Sequence, residues 1–408
     1  DECRRGDRLR PAREVHQFNS QWGKILEGGR ALTDAERLFD LSMQALTAQI
    51  ATGDERELIV FNPLAYTRTD LVTTREAISG LVDLSTGAAV LLEKLGDGQT
   101  AFIATDVPAF GYRLYRIAGA APARPTPAAS LRASGHTLEN EFYTITFDAA
   151  TGAVTSIVDR ELKQELVDAA APYQFNQIVW VQKKGRESKE GSNYASKAGA
   201  ALKPRSGVLV AEMESSFKDR QLGDATVTQT VRLYAGLKRI DVINDLRHVG
   251  VLHSARSADR YRSNLFFAFP FKVDAFTPRA EQAAGVVRPY DDQLRWGSHD
   301  YLAANRWVDV SNEHWGVTMA PHNTPIVHFG AIRYNELSID YKPANSHLYS
   351  FAWSNRMAGL FTLCADDMNN RFIYSFTSHA GDWNSGGATR FGWSVASPFE
   401  ARIVAARQ

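Results

Sequence analysis

The sequence predicts a mainly β protein, and three observations carry that prediction. Short apolar runs with alternating side chains recur from residue 57 onward. Gly, Pro, Asn and Asp punctuate these runs at the spacing of turns. No helix-period segment of useful length separates the later runs, which excludes parallel βαβ winding. At 408 residues the chain is longer than a usual domain of about 100–200 residues, so several domains are expected.

Residues 1–56 are the helical segment. From Leu32 the apolar positions run through Ala35, Leu38, Phe39, Ala45, Leu46 and Ile50, a helical stripe. Thr33 or Asp34 suits its start, and Gly53 follows its end. A shorter helix over residues 15–26 carries Val15, Phe18, Trp22 and Ile25, with a break at Gly28-Gly29. Two helices cannot bury their own apolar faces, so the outer face is expected to stay poorly covered.

Residues 57–118 read as a small β domain. The run at 58–61 stops at Asn62-Pro63, and strands follow at 69–74, 101–105 and 113–117. Residues 119–134 are a Pro/Ala linker. Residues 135–408 form a large antiparallel sandwich that opens with a hairpin, 142–147 returning over 153–158. Later strands fall at 226–234, 239–246, 265–269, 307–310, 316–320, 348–353 and 372–377. Residues 183–207 read as a polar, mobile loop.

Composition narrows the function. There are 46 basic and 46 acidic side chains, so nothing draws the chain to phosphate backbones, and a nucleic-acid partner is excluded. No window approaches eighteen consecutive apolar residues, so no membrane span is expected. The two cysteines, Cys3 and Cys364, rule out a disulfide framework, and Cys364 reads as a buried core thiol. The first residues show neither Met nor signal-peptide shape, which points to a fragment or processed chain and favours the cytoplasm.

No nucleophile elbow, P-loop, dinucleotide fingerprint or HExxH motif is present. The polar and aromatic clusters remain. The richest runs from Arg288 to Trp307 and contains Arg295, Trp296, His299, Asp300 and Arg306. Sugar binding uses such a set, with aromatic faces against ring C–H groups and Asp, Asn and Arg around hydroxyls. The plainer reading is a long connection anchored by its aromatics. Ser311-Asn312-Glu313-His314-Trp315-Gly316 reads as a strand-joining turn with Trp315 in the core. Residues 381–387 read as an ordered turn or a ligand loop on the rim, the turn being favoured. His299-Asp300 and Glu313-His314 do not chelate one ion easily, because neighbours on a strand face opposite ways. Asp291-Asp292 and Asp366-Asp367 read as solvated turns, so no catalytic or metal residue is assigned.

The order of several patches resembles the carboxy-terminal half of the family 38 glycoside hydrolases, the retaining α-mannosidases. Val60-Phe61-Asn62-Pro63-Leu64-Ala65-Tyr66-Thr67-Arg68 resembles the opening of that family's small β domain, and Val107-Pro108-Ala109-Phe110-Gly111-Tyr112 its close. Residues 138–147 with 151–160 resemble the first hairpin of the large β domain. Residues 267–271, 306–312 with Gly316, and 348–353 continue in order.

The resemblance implies a supersandwich of the galactose-mutarotase-like type, preceded by the tail of a three-helix region. It implies a bacterial enzyme of carbohydrate metabolism that cleaves α-mannosides by double displacement. It places the zinc ion, nucleophile and general acid in an amino-terminal barrel, which would be this chain's partner along with the mannoside. No cofactor is then expected in the chain itself. Some bacterial members carry a His-containing phrase where this sequence has Asp1-Glu2-Cys3-Arg4; Cys3 stands there either in place of a zinc ligand or by chance, chance being preferred. The family's β domain also lends the active site an Arg, for which Arg295 is the nearest candidate. The rival readings are a carbohydrate-binding sandwich without catalysis and a mutarotase-like sugar enzyme.

Overall fold

The computed structural model describes residues 12–50, 53, 55–119, 130–184, 191–195, 201–222, 224–248, 261–283, 285–294, 296–333, 338–354 and 370–404. It is mainly β, and its ladders pair antiparallel, as the alternating runs and the lack of crossover helices predict. The strand at Ala225–Tyr234 shows why: Val227, Val231 and Leu233 are buried, while Thr228, Thr230 and Arg232 between them are less so.

Two sheets build the large sandwich. One has nine strands, running in space from Ala201–Ser206 through Val210–Asp219, Ala225–Tyr234, Leu237–Arg247, Asn370–Ala380, Trp315–Pro321, Val308–Ser311 and Thr277–Gln282 to Gly285–Val287. The other has six, with Tyr261–Pro270 between Gln177–Lys184 and His347–Ser354 at its centre. Their facing side chains make one core. Phe175 lies 5.3 Å from Phe269, 5.7 Å from Phe271 and 5.6 Å from Phe376, ring to ring. Each such pair adds about 0.5–1.5 kcal/mol beyond its buried area. The polar stretch expected over 183–207 contains strands Gly191–Ala195 and Ala201–Ser206, paired to the two sheets. Cys364 and Asp366-Asp367 lie outside the described residues.

The small β domain gains a strand that its own sequence does not contain. Glu400–Val404 pairs with Glu57–Phe61, so the sheet runs Glu400–Val404, Glu57–Phe61, Tyr112–Ala118, Gly80–Asp83. The expected boundary at residue 118 therefore misses one strand. Its interior, with Leu58, Val60, Phe102 and Tyr115, meets the large sandwich at Leu209, Val210 and Tyr234.

The helical segment differs from expectation. A single helix, α1, spans Ala12–Thr47 and runs through Gly28-Gly29. A Cβ at either glycine would touch nothing within 4 Å, so each costs only its propensity, about 1 kcal/mol. Breaking there would orphan four N–H and four C=O groups at the new ends. Thr33 is no cap: its Oγ1 donates to the Gly29 carbonyl at 3.0 Å within the helix. Of the described α1 side chains only Met43 is buried, while Leu32, Leu38 and Leu46 are at least half exposed. Val15, Phe18, Trp22 and Ile25 lie outside the described side chains. Among the described residues no helix is long and apolar enough to cross a membrane.

A second helix, α2, spans Ala388–Ala396 and has no counterpart in the expected elements. Its Gly392 sits against Trp307, where a Cβ would come within 2.4 Å of the indole. The small β domain grips its far end. Arg68 NH1 donates to the Ser394 carbonyl at 3.0 Å and NH2 to that of Ser397 at 2.6 Å, and Tyr66 OH donates to that of Arg390 at 2.8 Å. The two Arg68 bonds occupy carbonyls that a helix C-terminus leaves open.

Candidate functional site

Strand alternation gives the nine-stranded sheet a polar outer face at one end. Val308, Val310, Val317 and Met319 point into the core, and Asp309, Ser311 and Thr318 between them point the other way. Asp309 is fully buried and well supplied with donors. Thr318 Oγ1 donates to its Oδ2 at 2.6 Å, His379 Nε2 to the same oxygen at 2.8 Å, and Ser311 Oγ to Oδ1 at 2.5 Å. The other ring nitrogen of His379, Nδ1, is buried with no hydrogen-bond partner. Gly386 presses on that ring, since a Cβ there would lie 1.9 Å from Nδ1.

Pairing then gathers three separate segments above this floor. Trp315 stands opposite Ala380, and Thr277 opposite Ser311. The turn after Ser311, the turn after Ala380 and the start of strand Thr277–Gln282 thus meet at one end of the sheet. They enclose a cleft of about 480 Å³. Asn312 shapes the first turn: its Oδ1 accepts from the amides of His314 at 2.8 Å and Trp315 at 3.0 Å. Asp382 accepts from the hydroxyl of Ser385 at 2.6 Å and its amide at 2.9 Å, which holds the carboxyl below its ordinary range. Trp383 stacks on Trp307 at 5.8 Å and 20°. Arg279 enters from the facing strand, and burial followed by the neighbouring Arg288 lowers its pKa. Glu313 and His314 complete the wall. One cation, two carboxylates, an imidazole and an indole can grip a polyhydroxylated ring from several sides.

A second cavity, of about 600 Å³, lies at the seam between the small β domain, the nine-stranded sheet and α2. Its charges are paired. Arg239 holds Asp241 through Nε and NH2, each at 2.7 Å, and reaches Asp70 of the small domain at 3.4 Å. Ser375 Oγ also donates to Asp241 at 2.6 Å and stands 3.0 Å from His322 Nε2. Burial pushes the Asp241 carboxyl up, but Arg239, with the hydroxyls of Ser375 and Tyr234, outweighs it and holds the group well below the usual carboxylate range. Burial raises the pKa of Asp70 and lowers that of His322.

Among the described residues expected at a sugar-facing rim, Trp296, His299, Asp300 and Arg306 do not meet in one cleft. Arg295 lies outside the described residues. His299 and Asp300 are buried, packed with Tyr290 and Tyr341: the His299 amide donates to the Ser338 carbonyl at 2.6 Å, and the Ser338 amide to Asp300 at 3.3 Å. Trp296, 71% exposed, takes a positive φ on the surface. Arg306 lies in the seam cavity, donating to Glu281 at 3.2 Å and lying 3.8 Å over the Trp393 ring. The turn at 311–316, read singly as structural, and that at 381–387, read as an ordered turn or a ligand loop, are the segments that meet. Trp315 is partly buried against the core. Asp309, His379 and Arg279 were not singled out from the sequence. The alternation in Val308-Asp309-Val310-Ser311 is the signal that finds the first; none marks Arg279.

A family model, the Glycosyl hydrolases family 38 C-terminal domain, matches residues 138–324. No curated protein matches the chain in sequence. Among solved structures, an alpha-mannosidase from Enterococcus faecalis V583 is 14% identical with a TM-score of 0.68, covering 95% of this chain and 51% of its own. A protein of glycosyl hydrolase family 38 from Enterococcus faecalis is 14% identical with a TM-score of 0.66, covering 95% and 52%. A galactose mutarotase-like protein from Lactobacillus casei aligns with 60% of the chain at 10% identity and a TM-score of 0.36. The chain thus spans about half the length of the two Enterococcus proteins whose fold it shares. Residues 138–324 thus match the C-terminal domain of the family 38 glycosyl hydrolases, and the chain has the fold of about half of the two Enterococcus proteins.

Proposed function

We propose that this chain is the C-terminal portion of a retaining α-mannosidase-type glycoside hydrolase, whose catalytic barrel belongs to a preceding part of the protein. The match to the family 38 C-terminal domain across residues 138–324 carries this reading. The overlay of nearly the whole chain on half of an alpha-mannosidase supports it. In such an enzyme one carboxylate attacks the anomeric carbon while a second protonates the leaving oxygen. This chain would supply the scaffold and one wall of the sugar pocket.

Zinc, which the family resemblance implies, does not fit the described residues: no three His, Cys, Asp or Glu side chains among them could hold a metal ion. No step is therefore assigned to zinc in this chain. The test compares the chain alone with a protein that includes the segment preceding it, each assayed on an aryl α-mannoside with zinc or a chelator. The longer protein should turn over substrate and lose activity to the chelator, while the chain alone should be inert. Turnover that follows the isolated chain through purification, or a longer protein that cleaves only other glycosides, overturns the reading.

A further inference from the structure

The charged side chains lining the seam cavity have found partners among the described residues. The cleft between residues 312–314 and 381–387 has not been completed in this way. Arg279 donates one hydrogen bond, NH1 to the Pro278 carbonyl at 3.0 Å, and among the described residues no carboxylate lies within salt-bridge distance. Glu313 and His314, both exposed, make no side-chain hydrogen bond among the described residues. A half-buried guanidinium whose remaining N–H groups have given up water without gaining an acceptor costs free energy, which ligand oxygens would recover.

The charges around it select the ligand. Glu313 and Asp382 would repel an anion drawn to Arg279, and Arg279 would repel a cation drawn to the two carboxylates. A neutral molecule rich in hydroxyls satisfies both kinds of group, because each hydroxyl both donates and accepts. Trp383, fixed by its stack on Trp307, adds an aromatic surface suited to the C–H face of a sugar ring. The volume, about 480 Å³, falls in the range of small-molecule pockets, roughly 300–1,000 Å³.

We infer that this cleft is a binding subsite for a neutral pyranose, with Arg279 donating to ring hydroxyls, Glu313 and Asp382 accepting from them, and Trp383 against the ring. The inference concerns this chain alone and stands apart from the catalytic reading above.

The test is titration of the whole chain with methyl α-mannoside and methyl α-galactoside, followed by calorimetry and by saturation transfer to the sugar protons. Glucuronate and inorganic phosphate serve as anionic probes. A neutral sugar should bind saturably in the millimolar range. Arg279→Ala and Glu313→Ala should each weaken it about tenfold, the loss expected for one hydrogen bond to a charged group. Glu313 is exposed, so its variant keeps the test valid even where Arg279→Ala folds poorly. Absence of saturable binding by either sugar overturns the inference, as does wild-type affinity in the Glu313 variant. Phosphate binding more tightly than sugar would likewise overturn it, in favour of an anion site.

Discussion

Arg239 at the seam and Arg279 in the cleft are the same side chain in opposite circumstances. Arg239 grips Asp241 with two parallel hydrogen bonds and reaches across to Asp70, so its charge is used up in holding two domains together. Arg279 faces an open cleft with one carbonyl for company. A cavity's polarity is thus a poor guide to its role. What distinguishes a joint from a receptor is whether the hydrogen-bonding capacity of its walls has already been spent.

The largest expected effect comes from breaking the joint. Asp241→Ala would leave Arg239 charged and mostly enclosed, a change that typically costs about 3–5 kcal/mol. Urea unfolding of the variant against the parent reads this, and a loss below about 1 kcal/mol would mean that the seam is held by packing instead.

His328 sharpens the comparison, because here charge is avoided, not paired. Burial holds its pKa down to about 3, against an ordinary value of about 6.5. The unfolded chain therefore binds one more proton between those values. Stability is full above about pH 6.5 and falls as the pH drops through that window, by about 1.4 kcal/mol per unit from this group. Thermal unfolding of His328→Phe between pH 6 and 4 should show a shallower slope than the parent. An unchanged slope would assign the acid sensitivity elsewhere.

Within the cleft, Gly386→Ala would drive a methyl group into the His379 ring. Overpacking of this kind costs about 1–3 kcal/mol, measurable as a lowered unfolding midpoint. Adding His379→Ala, which opens the space, should recover part of that loss if the ring contact is its cause.

The smallest effect should be that of Arg279→Ala on stability, within about 0.5 kcal/mol of the parent. Equal losses for Arg279→Ala and Asp241→Ala would abolish the distinction between joint and receptor.

How much of this could be read beforehand varies with the range of the interaction. The strand at Ala225–Tyr234 is legible because alternation is local. The helix α2 was missed because Gly392 and Ser394 spoil its helical character, while Gly392 is there to admit Trp307. The strand Glu400–Val404 was missed because its partner lies at the other end of the chain. The cleft fails for a related reason. Both of its turns stand out in the sequence, but only the pairing of Trp315 with Ala380 says that they are neighbours. The aromatic run around His299 reads two ways from sequence because a packed loop and a sugar-binding loop use the same residues; in the fold His299 and Asp300 are buried.

The pairing of Glu57 with Val404 has a consequence for biosynthesis. Domains usually form as they leave the ribosome, the amino-terminal one first. Here residues 57–118 emerge well before residues 400–404, so the sheet cannot close until residue 404 has been made. In the interval the edge of Glu57–Phe61 stays open, with buried-type Leu58, Ile59 and Val60 flanked by unpaired backbone groups. The nascent chain must therefore carry this unfinished domain through the synthesis of nearly three hundred residues. Such a chain is most exposed to aggregation before residue 404 is made and less so once that strand has paired.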